Sequence, residues 1–226
     1  MGENRSLRFV LLSHRIGQRT PLYPGTPPIE LKQYRSIERG DSSNLWVIGM
    51  ANHTGTHVDA PNHFYREGRR IYEYTLDELV FPDSCLIDVP KEPGGEVSAE
   101  DLKPHISLIK RCSLLLIRTG LQAYRETDAE AYSSQGILFS PSAAKFLRME
   151  APHLRGLGID AISISTPLRR QEGRESHKIL LSDNRFLILE DMDLAGKPTI
   201  YRYVIVAPLL LEEVDSAPCT VIGIAD

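Results

Sequence analysis

A single tryptophan, three cysteines and four methionines are all that this 226-residue chain holds of those types. Cys85, Cys112 and Cys219 are scattered, odd in number and set in apolar runs. They read as small core residues in a reducing compartment and not as a disulfide framework. There is no excess of basic charge: 26 Lys and Arg face 30 Asp and Glu, for a net charge of −4. Nothing therefore draws the chain to nucleic acid or to an anionic membrane surface. No apolar run approaches the ~20 residues that span a bilayer. Phe9-Val10-Leu11-Leu12 is shorter than the roughly 7–15 apolar residues of a signal-peptide core and is expected to be a first strand. Met1–Ser6 matches the N-myristoylation pattern, which is short and common, and is taken as coincidence. A cytoplasmic protein is expected. With no repeat, low-complexity tract or linker, residues 1–226 read as one domain.

The apolar runs that are present are short, rich in β-branched residues and regularly interrupted. Strands are expected at Leu7–Leu12, Leu45–Ala51, Ser84–Val89, Ser113–Arg118, Gly158–Ile164, Phe186–Leu189, Tyr203–Ala207 and Thr220–Ala225. Helices are expected after the Ser98/Asp101 capping box, from Ser140-Pro141 through Leu147, and over Leu76–Val80. Pro21–Pro28, Glu92–Glu96 and Gly173-Arg174-Glu175 read as loops. Strands outnumber helices, which predicts a single mixed α/β domain, strand-rich with a few inserted helices.

Three of the seven histidines fall within eleven positions, in His53-Thr54-Gly55-Thr56-His57-Val58-Asp59-Ala60-Pro61-Asn62-His63. A helix would put His53 and His57 on one face, but Gly55 and Pro61 oppose it and no Glu follows His53 to complete a metalloprotease motif. In an extended chain His53, Gly55, His57 and Asp59 share one face. A straight strand would hold the two histidine Cα atoms ~13 Å apart, near the limit for sharing one ion at ~2.1 Å. The chain is therefore expected to bend at Gly55, and Pro61 to redirect it so that His63 meets the same cavity. The alternative is a polar loop with histidines by chance. Thr54 and Thr56 fall on the opposite face and read as structural.

The run from His53 to Phe64 resembles the signature of the metal-dependent cyclase family, which includes bacterial kynurenine formamidases and isatin hydrolases. The resemblance extends to Leu12-Ser13-His14, Tyr23-Pro24-Gly25, Leu115–Gly120, Gly158-Ile159-Asp160, Ser176–Leu181 and Leu187–Glu190. It implies a mixed-sheet fold of the swivelling β/β/α type, assembled as a homodimer or homotetramer. It also implies that His53, His57 and Asp59 bind a first divalent ion, with Asp59 bridging to a second that His177 and Glu190 help hold. His63 would be the general acid/base. Formamidases of the family tend to carry a substrate-stacking tryptophan at the proline-glycine loop; here Tyr23 stands in that region and is the candidate substrate contact. A hairpin around Ser182-Asp183-Asn184 is expected to bring His177 and Glu190 together.

Imidazole and carboxylate ligands suit Zn²⁺, and also Mn²⁺ where oxygen donors are plentiful. The reaction expected is hydrolysis of a small amide, formamide or lactam, with hydroxide on the ion as nucleophile and His63 protonating the leaving nitrogen. Tryptophan catabolism would be the setting if kynurenine formamidase is the nearer branch. Two alternatives stay open: a cyclase or dehydratase using the same site, and a non-catalytic metal- or ligand-binding protein. A structural zinc site, however, is usually closed by four protein ligands rich in cysteine. Asp160 is read either as orienting a ligand histidine or as capping a strand end. His14 is expected in a buried hydrogen bond, and His105 and His153 as ordinary. Arg169, Arg170 and Arg174 read as a solvated face, with reception of an anionic substrate as the alternative.

Overall fold

The computed structural model describes residues 7–225; the Met1–Ser6 pattern lies outside them. Twelve strands are present among the described residues: β1 (Arg8–Leu11), β2 (Glu30–Arg35), β3 (Leu45–Gly49), β4 (His57–Asp59), β5 (Val80–Asp88), β6 (Glu96–Val97), β7 (Leu114–Arg118), β8 (Leu138–Phe139), β9 (Gly156–Ile159), β10 (Leu187–Glu190), β11 (Ile200–Pro208) and β12 (Ser216–Ala225). Eight of them form one mixed sheet in the order β1-β12-β11-β5-β7-β9-β10-β4. β12 also pairs with β4, so the sheet closes on itself in a barrel-like form and leaves few open edges. The α/β, strand-rich fold expected from the sequence is the fold observed.

Period-two alternation gives this closed sheet two cores. Val58, Leu114, Leu116, Leu187, Leu189 and Ala217 pack in the interior. Leu115, Ile117, Leu157, Ile159 and Ile188 face outward, against a helical layer. The short turn α1 (Leu76–Leu79) sends Leu79 into the interior cluster, and the outer layer is formed by the short turns α2 (Ala99–Leu102), α3 (Ile106–Ile109) and α4 (Tyr124–Thr127) and the longer α5 (Pro141–Glu150) and α6 (Arg170–Leu180). The capping signals act as read: Asp101 accepts the Ser98 amide at 2.8 Å, and Ser140 Oγ accepts the Ala143 amide at 3.2 Å. Since Val58 and Leu189 point inward, their neighbours His57, Asp59 and Glu190 must point to the outer side.

Two expectations fail. Residues 173–175, read as a loop, lie inside α6. Its buried positions are Gly173, Ser176, His177 and Leu180, a helical i, i+3, i+4, i+7 set carrying one apolar side chain of any size. Gly173 is required by contact: a Cβ there would stand 2.9 Å from the Ser165 Cα and 2.5 Å from its Cβ. Strand Gly158–Ile164 stops at Ile159, because the following residues turn away to serve the site described below. Hairpin β2–β3 stands apart from the main sheet and exposes Tyr34, Trp46, Val47 and Ile48.

Candidate metal centre

Strands β4 and β10 pair antiparallel with His57 opposite Glu190 and Asp59 opposite Ile188. This register sets three polar side chains together on the outer face. Gly55, at φ +63°, turns the preceding segment back, a conformation that glycine adopts without steric cost. His53 thereby returns to Asp59, its Nδ1 3.0 Å from Asp59 Oδ1 without hydrogen-bond alignment. The bend is where the sequence required it, although only 57–59 of the run is strand. His177 arrives from α6, its Nε2 3.4 Å from Glu190 Oε1 and 3.9 Å from Asp59 Oδ2. His57 Nε2 lies 3.4 Å from Glu190 Oε2 and 3.6 Å from Asp59 Oδ1.

The ring orientations are fixed from behind. His57 Nδ1 donates to the Gly55 carbonyl and His177 Nδ1 to the Gly173 carbonyl, each at 2.8 Å. Both Nε2 atoms are thereby turned toward the carboxylates, the usual orientation behind a ligating imidazole. Glu190 Oε1 accepts Ser163 Oγ at 2.9 Å and the Ile164 amide at 2.7 Å, which explains why the 160–164 segment leaves the sheet.

This donor set fits a divalent cation. His57 Nε2 and both Asp59 oxygens are buried without a hydrogen-bond partner. Buried anions in that state are costly unless something positive joins them. Donor atoms ~2.1 Å from a tetrahedral ion stand about 3.4 Å apart, close to the spacings seen here. The electrostatics agree. Burial works against charging His53, but the carboxylates of Asp59 and Asp215 outweigh it and push its pKa up to about 10. His57 and His177 are likewise raised against desolvation by Glu190 and Asp59. Glu190, despite its burial and the nearby Asp59 charge, is held down to about 2 by His177 and His57.

His63 follows β4 in a 3-10 turn opened by Pro61. Its Nδ1 lies 2.6 Å from Asp215 Oδ2, and His53 Nε2 reaches the same oxygen at 3.0 Å. A nitrogen of His63 also stands within 4.8 Å of donor atoms on Asp59 and His177. Asp215 was not legible as a site residue: it lies far along the chain, with only the acidic pair Glu212-Glu213 beside it. Its place just before β12, which pairs with β4, is what delivers it. Behind Glu190, Asp191 takes φ +50° and is gripped by Arg125 through two bonds of 2.7 and 2.8 Å and by Tyr132 Oη at 2.5 Å. Thr56 Oγ1 donates to the Asp191 carbonyl and accepts the His14 amide, so its role is structural, as read.

Several readings are corrected or resolved. Asp160 accepts the Thr119 and Gly120 amides at the end of β7 and touches no ligand histidine. His14 leaves its Nε2 without a partner, but its ring is bonded to the Met192 backbone and its amide to Thr56, as expected of a residue in a buried hydrogen bond. His177 and Glu190 are joined by a helix end and a turn, in which Asp183 accepts the Arg185 and Phe186 amides, and not by a strand hairpin. His105 and His153 do not line the cavity. A cavity of about 330 Å³ opens over the cluster, walled by Tyr23, Pro24, Phe64 and Ile162. Arg170 and Arg174 also line it, whereas Arg169 is tied to Glu172 and Glu96.

The chain belongs to the family described as "Putative cyclase", whose model matches residues 10–166. The chain is 27% identical over 197 residues to a kynurenine formamidase of Geobacillus thermodenitrificans, covering 84% of this chain and 89% of that protein. It is 34% identical over 114 residues to an uncharacterized protein of Haemophilus influenzae, half of this chain and 80% of that one. Among solved structures it resembles a potential metal-dependent hydrolase with cyclase activity, at 26% identity, TM-score 0.77, 98% of this chain and 99% of the other. Isatin hydrolase A from Labrenzia aggregata shares the fold with a TM-score of 0.82 at 21% identity, over 97% and 94% of the two chains.

Proposed function

We propose that the protein is a metal-dependent hydrolase of a small amide, formamide or lactam, with formamide hydrolysis of the kynurenine formamidase kind as the leading reaction. The observation that carries this reading is the set of buried, unpartnered donors on His57 and Asp59 at the floor of an open cavity. His53, His57, Asp59, His177 and Glu190 would hold one or two divalent ions, Zn²⁺ before Mn²⁺. Such an ion supplies Lewis acidity toward a carbonyl and lowers the pKa of water toward ~7.

The residues of the chain do the rest. His63, oriented by Asp215, delivers a proton to the leaving nitrogen, since an amide nitrogen departs poorly as an anion. Tyr23 and Phe64 line the space where an aryl group would lie, and Ile162 adds apolar surface. Ser163 and the Ile164 amide keep Glu190 turned inward. Lactam opening of the isatin kind would use the same groups, and the fold shared with isatin hydrolase keeps it as the second reading.

Purified protein assayed with N-formylkynurenine and isatin, with metal analysis alongside, tests this. Turnover of one substrate that EDTA abolishes and Zn²⁺ or Mn²⁺ restores is expected. Absence of bound metal after reconstitution overturns the proposal. We also propose that the chain assembles as a homodimer or homotetramer through the exposed apolar side chains of β2–β3. Light scattering on the same preparation should give a mass two or four times the 25.4 kDa of the chain. A monomer removes this part.

A further inference from the structure

Arg170 and Arg174 stand one helical turn apart on α6 and both line the cavity over the donor cluster. Three features make their placement costly. Like charges at i, i+4 on a helix repel. Arg170 is the first residue of α6, the end where the helix dipole disfavours a cation. Neither guanidinium has an ion pair or side-chain hydrogen bond among the described residues. Other arginines around the site are partnered: Arg169 with Glu172 and Glu96, Arg148 with Asp183, and Arg125 with Asp191. Acids on the same helix are also spent elsewhere, Glu172 on Arg169 and Glu175 on Lys145. Two unneutralised forks in a cavity wall that also carries Tyr23, Phe64 and Ile162 are matched to a planar anion.

We infer that Arg170 and Arg174 are specificity-determining residues that bind a carboxylate on the substrate, remote from the bond being cleaved. The substrate class is thus an aryl or acyl amide carrying a free carboxylate. This inference rests on the hydrolase reading above. Tyr23 lies beside the same arginines, with Ser165 hydrogen-bonded to its phenol, so the aromatic wall and the cationic rim form one surface. The donor cluster takes the scissile carbonyl, Tyr23 and Phe64 the ring, and the two guanidinium groups the carboxylate.

The test compares meta- and para-formamidobenzoate with the matching formamidobenzamides, which replace the carboxylate by a neutral group of equal shape. In wild-type protein kcat/KM should favour the acids by about tenfold, chiefly through KM, the size expected for charge-assisted bonds at a partly exposed rim. In R170Q/R174Q that preference should fall to near one. Both positions are exposed, so the fold tolerates the exchange. A second arm uses metal-free protein and measures benzoate against benzamide binding by saturation-transfer NMR, again in wild type and R170Q/R174Q. If no formamide is turned over but the benzoate preference exists and is lost in the variant, the hydrolase reading fails and the arginine site stands. If formamides are hydrolysed with no preference for the acids, or with one that survives the substitution, the arginine site is overturned and the hydrolase reading stands. Neither turnover nor a benzoate preference overturns both.

Discussion

Replacing Asp59 by asparagine is expected to empty the centre of metal and to lower kcat/KM by roughly 10³-fold or more, the several kcal/mol that a Lewis acid contributes to such a reaction. Asp59 is the group that all three histidines of the donor set face: His53 and His57 approach one oxygen and His177 the other. Asparagine keeps the shape and removes the charge, so the loss cannot be assigned to a cavity. An activity-free readout separates loss of metal from loss of fold. An ion at about a hundred times its Kd stabilises the folded state by about 2.7 kcal/mol, which for a domain of this size raises Tm by roughly 5–10 °C. Wild type should show that rise when Zn²⁺ is added to stripped protein, and D59N should not. A variant that binds metal normally and rises in Tm like the wild type would remove Asp59 from the ligand set, and with it the bridging role.

The outline of that centre is legible in the sequence because it is local. Alternation along β4 fixes His57 and Asp59 on one face, and Gly55 is the only residue in the run that takes a positive φ without cost. What was not legible depends on distant partners. Asp215 is delivered by β12 pairing to β4, a contact between residues more than 150 positions apart in sequence. Helix α6 escaped notice because its buried stripe is Gly173, Ser176, His177 and Leu180. Periodicity of burial is there; periodicity of hydrophobicity is not, since the stripe faces a close backbone contact and a polar site. The same helix carries Arg170 and Arg174, and the i, i+4 spacing that brings them together over the cavity follows only once residues 170–180 are seen as a helix. Strand β9 was drawn too long for a related reason. Ala161-Ile162-Ser163-Ile164 alternates like a strand, but the Ser163 hydroxyl and the Ile164 amide bond to Glu190, and only the Ile164 carbonyl meets a strand, accepting the Phe139 amide of β8.

Substituting His63 by alanine is expected to lower kcat by about 10²- to 10⁴-fold, the range for losing a positioned general acid, while metal content stays at the wild-type level. The geometry allows two roles for this residue, and the experiment decides between them. His63 is close enough to Asp59 and His177 to share an ion with them. For the acid role stands its bond to Asp215, at 2.6 Å shorter than the 3.0 Å that His53 makes to the same oxygen, and its place on a 3-10 turn at the cavity wall. A proton carrier must exchange with solvent between turnovers, and the 28% exposure of His63 permits that. If the acid role is right, imidazole added to H63A should restore part of kcat, and the restored rate should depend on the amount of protonated imidazole. Asp215→Asn should lose less than H63A and retain metal, because the asparagine amide oxygen can still accept the His63 hydrogen bond and hold the ring in place. Loss of metal in H63A with full activity in excess metal would make His63 a ligand instead, and the proton for the leaving nitrogen would then have to come from water in the cavity.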